Sequence, residues 1–318
     1  MKNEVALYVC DELGKYGFPD GHPFGPDRQD AFWNEAVKQG LDKRATLCGG
    51  REAVTEEIAR FHTREHIERV GVLSNRGYGS IDYGDTPAYP GVYQASAHVV
   101  GAALEGLARV MGGESLRTFQ PIGGLHHARP GTAAGFCVFN DCGVVIDTLR
   151  SEYGVKRVAY VDIDVHHGDG LYYPFEDDPD LIYADIHEDG RFLYPGTGAE
   201  TERGKGAAEG LKLNIPMQPG WGDKEFLREW ERVEAHLRTH PPQFIVFQAG
   251  ADSVAGDPLA HLQYTPKAHA HAARRLCALA NEMCKGRIMG FGGGGYNRGN
   301  LAAAWCGVLD EFIRGSQR

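Results

Sequence analysis

Tyr160-Val161-Asp162-Ile163-Asp164-Val165-His166-His167-Gly168-Asp169 continues an apolar run that opens at Val158. Val158-Ala159-Tyr160-Val161 has the unbroken hydrophobic character of a strand buried on both faces, which is how parallel strands read. If the chain stays extended beyond it, Asp162, Asp164 and His166 point to one side, because side-chain direction repeats every two residues. Ionisable groups gathered at the end of a core strand require compensation. An unpaired buried carboxylate is very costly, so a cation is the natural partner. The plainer alternative is a surface turn with polar residues; it fits less well because the segment directly prolongs a core strand.

Working outward, Leu181-Ile182-Tyr183-Ala184, Phe244-Ile245-Val246-Phe247 and Ile288-Met289-Gly290-Phe291 are runs of the same kind. Helical patterns lie between them. Phe226, Trp230, Val233 and Leu237 share one face of a helix over 224–239. Thr265-Pro266 supplies an N-cap and a proline at the first helical position, opening a helix to about Cys284. Val92–Val110 and Asn300–Ile313 read as helices too. The alternation predicts an α/β fold: one domain over residues 1–318, with a central, mainly parallel β-sheet flanked by helices on both faces.

Hydrophobic residues at 42% and charged residues at 24% exclude a disordered chain. Seven scattered cysteines, an odd number with no C-x-x-C pair, suit reduced thiols in a cytoplasm better than a disulfide framework or a structural zinc site. Met1–Val9 reads as a first strand, its apolar stretch being too short for a signal peptide. No apolar run approaches the length of a membrane span. A formal net charge of −10 disfavours nucleic acid as a partner and is compatible with a cationic one, such as a lysine-rich peptide or a polyamine.

Three further motifs carry chemistry. Asp252, in Gln248-Ala249-Gly250-Ala251-Asp252-Ser253, stands just beyond an apolar strand, where ligands of open α/β sheets gather. With Asp164 and His166 it makes a three-ligand set with open positions, which suits Zn²⁺, or Fe²⁺ or Mn²⁺ in its place. Alone, Asp252 would read as a helix cap. Gly123-Gly124-Leu125-His126-His127-Ala128 brings adjacent histidines into a glycine-rich loop. Neighbouring side chains diverge on an extended backbone, so acid–base work is the better assignment than shared ligation. Asp162 and Asp169 are spare carboxylates able to orient the two imidazoles. Phe291-Gly292-Gly293-Gly294-Gly295-Tyr296 lacks the Gly-Lys-Ser/Thr of a phosphate loop. Its glycines admit a ligand close to the backbone, and the phenol of Tyr296 can donate to an oxyanion; a flexible loop with a packed tyrosine is the alternative.

Together these motifs resemble the histone deacetylase superfamily, on the arginase–deacetylase fold. The resemblance spans nearly the whole chain, from Lys15-Tyr16-Gly17-Phe18-Pro19 with Gly21-His22-Pro23, through Gly135-Phe136-Cys137 and Asn140-Asp141, to Tyr194-Pro195-Gly196-Thr197-Gly198 and Gly256-Asp257-Pro258. The wording is most similar to bacterial class I-like members, acetoin-utilisation proteins among them. The resemblance implies Asp164, His166 and Asp252 as zinc ligands and His126 and His127 as the tandem acid–base pair. Asp162 and Asp169 would back the two histidines, and Tyr296 would polarise the acyl carbonyl. It implies a substrate tunnel lined by Gly135, Phe136, Tyr194, Leu259 and Gly294, with Asp85 at the rim and Arg28 at the foot. An inner potassium site is implied around Asp162, Asp164 and His166 with Asp185 and Ile186. There Asp185 replaces the family's serine, so that site is altered. Tyr194 stands where phenylalanine is common.

The activity implied is hydrolysis of an N-acetyl or other N-acyl lysine amide. Acetylpolyamine or another small acylamine is the alternative substrate class. Leu259, in Asp257-Pro258-Leu259-Ala260, replaces the glutamate gate of some polyamine-specific relatives. A two-manganese ureohydrolase would require Asp-x-His-x-Asp motifs, and a non-catalytic acylamine-binding protein would have no use for His126, His127 and Tyr296. The sequence leaves the oligomeric state open.

Overall fold

Eight strands make one sheet in which every hydrogen-bonded pair is parallel. The computed structural model describes residues 5–316. The strands are β1 (Val5–Tyr8), β2 (Thr46–Cys48), β3 (Arg117–Gln120), β4 (Val158–Asp162), β5 (Leu181–Glu188), β6 (Lys212–Met217), β7 (Phe244–Gln248) and β8 (Ile288–Phe291). Of the strand expected at Met1–Val9, residues 1–4 lie outside the described residues. The spatial order is β2-β1-β3-β8-β7-β4-β5-β6. After β3 the chain leaps over two positions to start β4, and β7 and β8 later fill the gap. The carboxyl ends of β3, β8, β7 and β4 therefore lie side by side at a change of direction, where open α/β sheets form their ligand crevice.

The helices are α1 (Asp11–Gly14), α2 (Arg28–Lys38), α3 (Thr55–Ile58), α4 (Arg64–Arg76), α5 (Val92–Met111), α6 (Asp141–Ser151), α7 (Asp169–Tyr172), α8 (Asp223–Thr239), α9 (Pro266–Met283) and α10 (Arg298–Ser316). The four expected from periodicity appear as α5, α8, α9 and α10, each within two or three residues of its expected ends. Strands β2, β3 and β6 are too short or too polar to announce themselves; β3 even begins with a buried arginine, Arg117.

Each strand feeds two cores because its side chains alternate. In β4, Tyr160 joins the core formed with α5 and α6, including Val99, Leu107 and Val145. Ala159 and Val161 face the opposite core, where Phe32, Trp230, Leu276 and Leu309 from α2, α8, α9 and α10 are buried. The helices thus cover both faces, as the near-continuous apolar strands require. Trp305 of α10 donates its indole N–H to the carbonyls of Ala249 and Gly292, 3.1 Å from each, and so ties a helix to the loops that leave β7 and β8.

Gly101 marks the tightest approach of α5 to the β2–α3 loop: a Cβ there would lie 2.1 Å from the carbonyl oxygen of Arg51. Gly101→Ala should therefore destabilise the protein by about 1–3 kcal/mol through overpacking. The urea midpoint measures it, and an unchanged midpoint would mean that the Arg51–Ala53 segment yields freely.

Candidate active site

Past Asp162 the backbone bends instead of staying extended. The Asp162 carboxylate accepts the Asp164 N–H at 3.0 Å, and that of Asp164 accepts the His166 N–H at 3.0 Å, each turning the chain two residues on. The bends send Asp162 to His126 and leave Asp164 and His166 beside Asp252. Asp252 Oδ1 accepts the Val165 N–H at 3.0 Å, so the loop after β7 is pinned to the loop after β4.

Asp164, His166 and Asp252 are all buried, and one donor atom of each lies within 4.8 Å of the others. His166 Nδ1 is 3.1 Å from Asp164 Oδ1 and 3.2 Å from Asp252 Oδ2. Asp252 Oδ2 is buried with no hydrogen-bond donor. Two carboxylates so placed demand positive charge: burial and the neighbouring Asp164 push Asp252 up to about 7. Burial would depress His166, but the two carboxylates outweigh it and raise it to about 10. An imidazole, two carboxylates and an unsatisfied oxygen are a donor set that fits a divalent metal.

Glycine backbone closes the cradle. The Gly294 N–H donates to Asp164 Oδ2 at 2.8 Å, and a Cβ on Gly294 would lie 2.0 Å from Asp252 Oδ2. On Gly250 it would lie 2.1 Å from Asp164 Oδ2. Gln248, the last residue of β7, donates to Asp164 Oδ2 at 2.8 Å. Sequence reasoning missed Gln248, whose one signal is a polar side chain closing an apolar strand.

His126 and His127 do not diverge. They sit in a turn after Gly124, whose φ is +76°, and their Nε2 atoms come within 3.2 Å. The buried carboxylate of Asp141 makes that turn by accepting the N–H groups of Gly124 and Leu125, both at 2.8 Å. His126 donates from Nδ1 to Asp162 at 2.8 Å and His127 from Nδ1 to Asp169 at 2.7 Å. The two dyads differ in charge. Burial lowers both imidazoles, but Asp162 and Asp164 reverse this at His126 and hold it at about 9. His127 falls to about 4 through burial and the charge on His126. Its carboxylate is also shared: Arg129 donates to the other oxygen of Asp169 at 2.6 Å, a contact its place two residues after His127 did not disclose.

Tyr296 completes the ring, lining one cavity with His126, His127, Asp164 and His166. The space is about 10 Å³, room for a single water. Burial and the charge of Asp252 raise the phenol well above its ordinary pKa, so it stays a hydrogen-bond donor. Asp257 fixes its backbone, accepting the N–H groups of Tyr296 at 2.8 Å and Asn297 at 3.3 Å. Arg28 is buried behind the loop, donating to Gly293 O and Gly295 O, with its guanidinium 3.9 Å from the Phe24 ring centre.

Around the mouth, the Phe136 ring packs against Tyr296 at 5.8 Å and His22 at 4.5 Å. Tyr194, half-exposed, packs against His127 at 5.1 Å and His166 at 6.2 Å. Gly135 lies between, where a Cβ would be 2.5 Å from His127 Cδ2. Phe136 holds the left-handed φ of +68°, and its N–H donates to Thr86 Oγ1 at 3.1 Å. That bond anchors the loop carrying the exposed Asp85. Leu259 is exposed, and its N–H donates to Asp257 at 3.0 Å.

Asp185 and Ile186 are buried in β5. The Asp185 carboxylate accepts the Gly168 N–H at 2.9 Å, the Tyr183 hydroxyl at 2.5 Å and His187 Nδ1–H at 2.7 Å. Burial favours the neutral form of each, yet each partner's charge outweighs it: Asp185 is lowered and His187 raised. His187 is thus the charge partner of Asp185 at the position where the potassium site was expected.

A parallel α/β sheet with a buried carboxylate–imidazole–carboxylate cradle, a tandem histidine pair and a phenol at its carboxyl edge has the donor set and the acid–base groups of a hydrolase. Residues 22–312 match the histone deacetylase domain. The acetoin utilization protein AcuC of Bacillus subtilis (strain 168) is 34% identical over 98% of this chain and 82% of its own length. Its namesake in Staphylococcus xylosus is also 34% identical, over 98% and 83%. The crystal structure of the HDA15 HD domain superposes with a TM-score of 0.90 at 27% identity, covering 98% of this chain and 89% of that one. The chain belongs to the histone deacetylase family and is a hydrolase of acetyl amides.

Asp252→Ala should empty the cradle, and Gly294→Ala should lower its occupancy by crowding Asp252. Elemental analysis of the purified proteins checks both; a full metal complement in Asp252→Ala would remove that residue from the ligand set.

Proposed function

We propose that the protein is a zinc-dependent deacetylase that hydrolyses the N-acyl amide of lysine side chains in peptides or proteins. The observation that carries the reading is the meeting, around one buried cavity, of the Asp164–His166–Asp252 cradle with the tandem histidines and the Tyr296 phenol. His127 bonds through Nδ1 to Asp169, which leaves its Nε2 to act as the base, while His126, set between Asp162 and Asp164, serves as the electrostatic partner.

Asp164, His166 and Asp252 would hold the zinc. When bound, the metal supplies Lewis acidity that polarises the acyl carbonyl and makes a water acidic enough to attack near neutral pH. His127 Nε2 takes the water proton as the C–O bond forms, with Asp169 fixing the ring's tautomer through Nδ1. The Tyr296 hydroxyl donates to the carbonyl oxygen as charge builds there. His127 then returns its proton to the amine nitrogen as the C–N bond breaks, leaving a carboxylic acid and an amine, which become carboxylate and ammonium when the acid's remaining proton passes to the amine. His126 keeps its proton throughout and offsets the negative charge. Phe136 and Tyr194, which are not in ring contact with each other, would flank the methylene stem. Gly135 would leave room between them, and Asp85 would accept backbone N–H groups at the rim.

A peptide substrate is favoured over a polyamine by Leu259 and its surroundings. Leu259 offers no charge to a second ammonium, and the carboxylate beside it, Asp257, is engaged with the N–H groups of Leu259, Tyr296 and Asn297. The compartment we infer is the cytoplasm, which suits seven free cysteines.

Steady-state kinetics on a fluorogenic acetyl-lysine peptide test the chemistry: a chelator should abolish turnover and zinc restore it. Tyr296→Phe should lower kcat by about 10²-fold or more while metal is retained, as for loss of one oxyanion donor. Near-normal turnover in that variant would remove Tyr296 from the mechanism. For substrate class, kcat/KM should be higher for acetyl-lysine peptides than for acetylated polyamines, and the reverse order would overturn the peptide assignment.

A further inference from the structure

Away from the cradle, a second cluster of ligand-type side chains lies on the α1 side of the sheet. Cys10 caps the N-terminus of α1, Glu12 lies in its first turn, and His98 projects from the middle of α5. One donor atom from each falls within 4.8 Å of the others. Cys10 Sγ is 3.6 Å from His98 Nε2. Tetrahedral zinc, with bonds of about 2.3 Å to sulfur and about 2.0–2.1 Å to nitrogen, sets those two atoms about 3.5–3.6 Å apart. The two donors also converge on one point: the thiol lies 2.9 Å and the imidazole nitrogen 3.0 Å from the carbonyl oxygen of Gly49.

The cluster opens into a surface cleft of about 810 Å³, walled by Glu12, His98, Lys15, Gln94, Glu52 and Tyr89. Thiolate and carboxylate together carry two negative charges, matching a divalent ion. The imidazole and the Gly49 carbonyl are neutral donors. We propose that Cys10, Glu12 and His98 form a second divalent-metal site, selective for zinc-like ions because it contains a thiolate. As the ion binds, the thiol proton is released to solvent, the His98 proton moves from Nε2 to Nδ1, and bonds to the metal replace the S–H and N–H donated to Gly49.

The site would clamp three segments: the β1–α1 junction, α5 and the loop after β2. The clamped segment leads directly to the tunnel wall. Two residues after α1, the Tyr16 hydroxyl donates to Phe136 O at 2.7 Å and accepts the Val138 N–H at 3.1 Å. Nothing in this proposal depends on the deacetylase chemistry.

Cobalt titration of the full-length protein tests it, because a thiolate–cobalt charge-transfer band in the near ultraviolet reports sulfur ligation. Asp164, His166 and Asp252 contain no sulfur, so the active-site cradle contributes no such band. Cobalt beyond the equivalent taken by the active-site cradle should develop the band, and zinc should displace it. Cys10→Ser should abolish it while keeping the helix cap, since serine is itself a good N-cap. His98→Gln should weaken or abolish it, and Asp252→Ala should leave it unchanged. Cys137 lines the active-site cavity, so a band lost in Asp252→Ala would place the thiolate there and overturn the proposal. Absence of a band at saturating cobalt, or a band that survives in Cys10→Ser, would overturn it as well.

Discussion

Two carboxylates of like charge, Asp164 and Asp252, are held together out of water, and much of the site exists to make that tolerable. Desolvating one carboxylate is already costly; desolvating two side by side is worse unless donors and cations surround them. The chain answers with the N–H groups of Val165 and Gly294, the amide of Gln248 and the imidazole of His166, whose hydrogen bond goes to Asp164. One oxygen, Asp252 Oδ2, is left without a donor. That remainder of negative charge is what fits the cradle to a metal ion and distinguishes it from a fully satisfied polar network.

The architecture follows from the same requirement. Donors must reach the carboxylates from several directions, and glycine at the closest approaches leaves room for them. Gly250 and Gly294 leave no space for a Cβ beside the two acids. Loops this close to the core need rigid support, which the parallel sheet supplies from both faces. Trp305 and Arg28 hold the β8 loop from behind, and Asp257 holds the backbone of Tyr296 from the side. Phe136, kept at a positive φ by Gly135 and by its bond to Thr86, is a further constrained point at the mouth.

The tandem histidines show how one motif acquires two functions. Their rings are neighbours and each leans on a buried aspartate, so their sequence surroundings are nearly equivalent. The difference comes from third parties. His126 faces both Asp162 and Asp164, whereas the aspartate behind His127 is drawn away by Arg129. A similar substitution of partners occurs at β5, where an imidazole from the same strand neutralises Asp185. In both places a charge introduced by one residue is balanced inside the protein.

The sequence by itself determined the class of fold, because buried parallel strands and amphipathic helices are written in local periodicity. Val158–Val161 and its three counterparts, with the helices ending near Thr239 and Cys284, were legible for that reason. So were the residue types of the metal cradle, since carboxylates at the end of an apolar strand are improbable without a partner. Only the tertiary structure decided what those residues meet. The bend after Asp162, the convergence of His126 and His127, and the parts played by Gln248, Asp141, Arg129 and Asp257 all depend on contacts between segments far apart in the chain. Charge state depends on them too. An imidazole carries no record in sequence of its burial or of the carboxylates beside it, and the electrostatic balance among His126, His127 and His187 is set by distances that exist only once the sheet has brought its strand ends together.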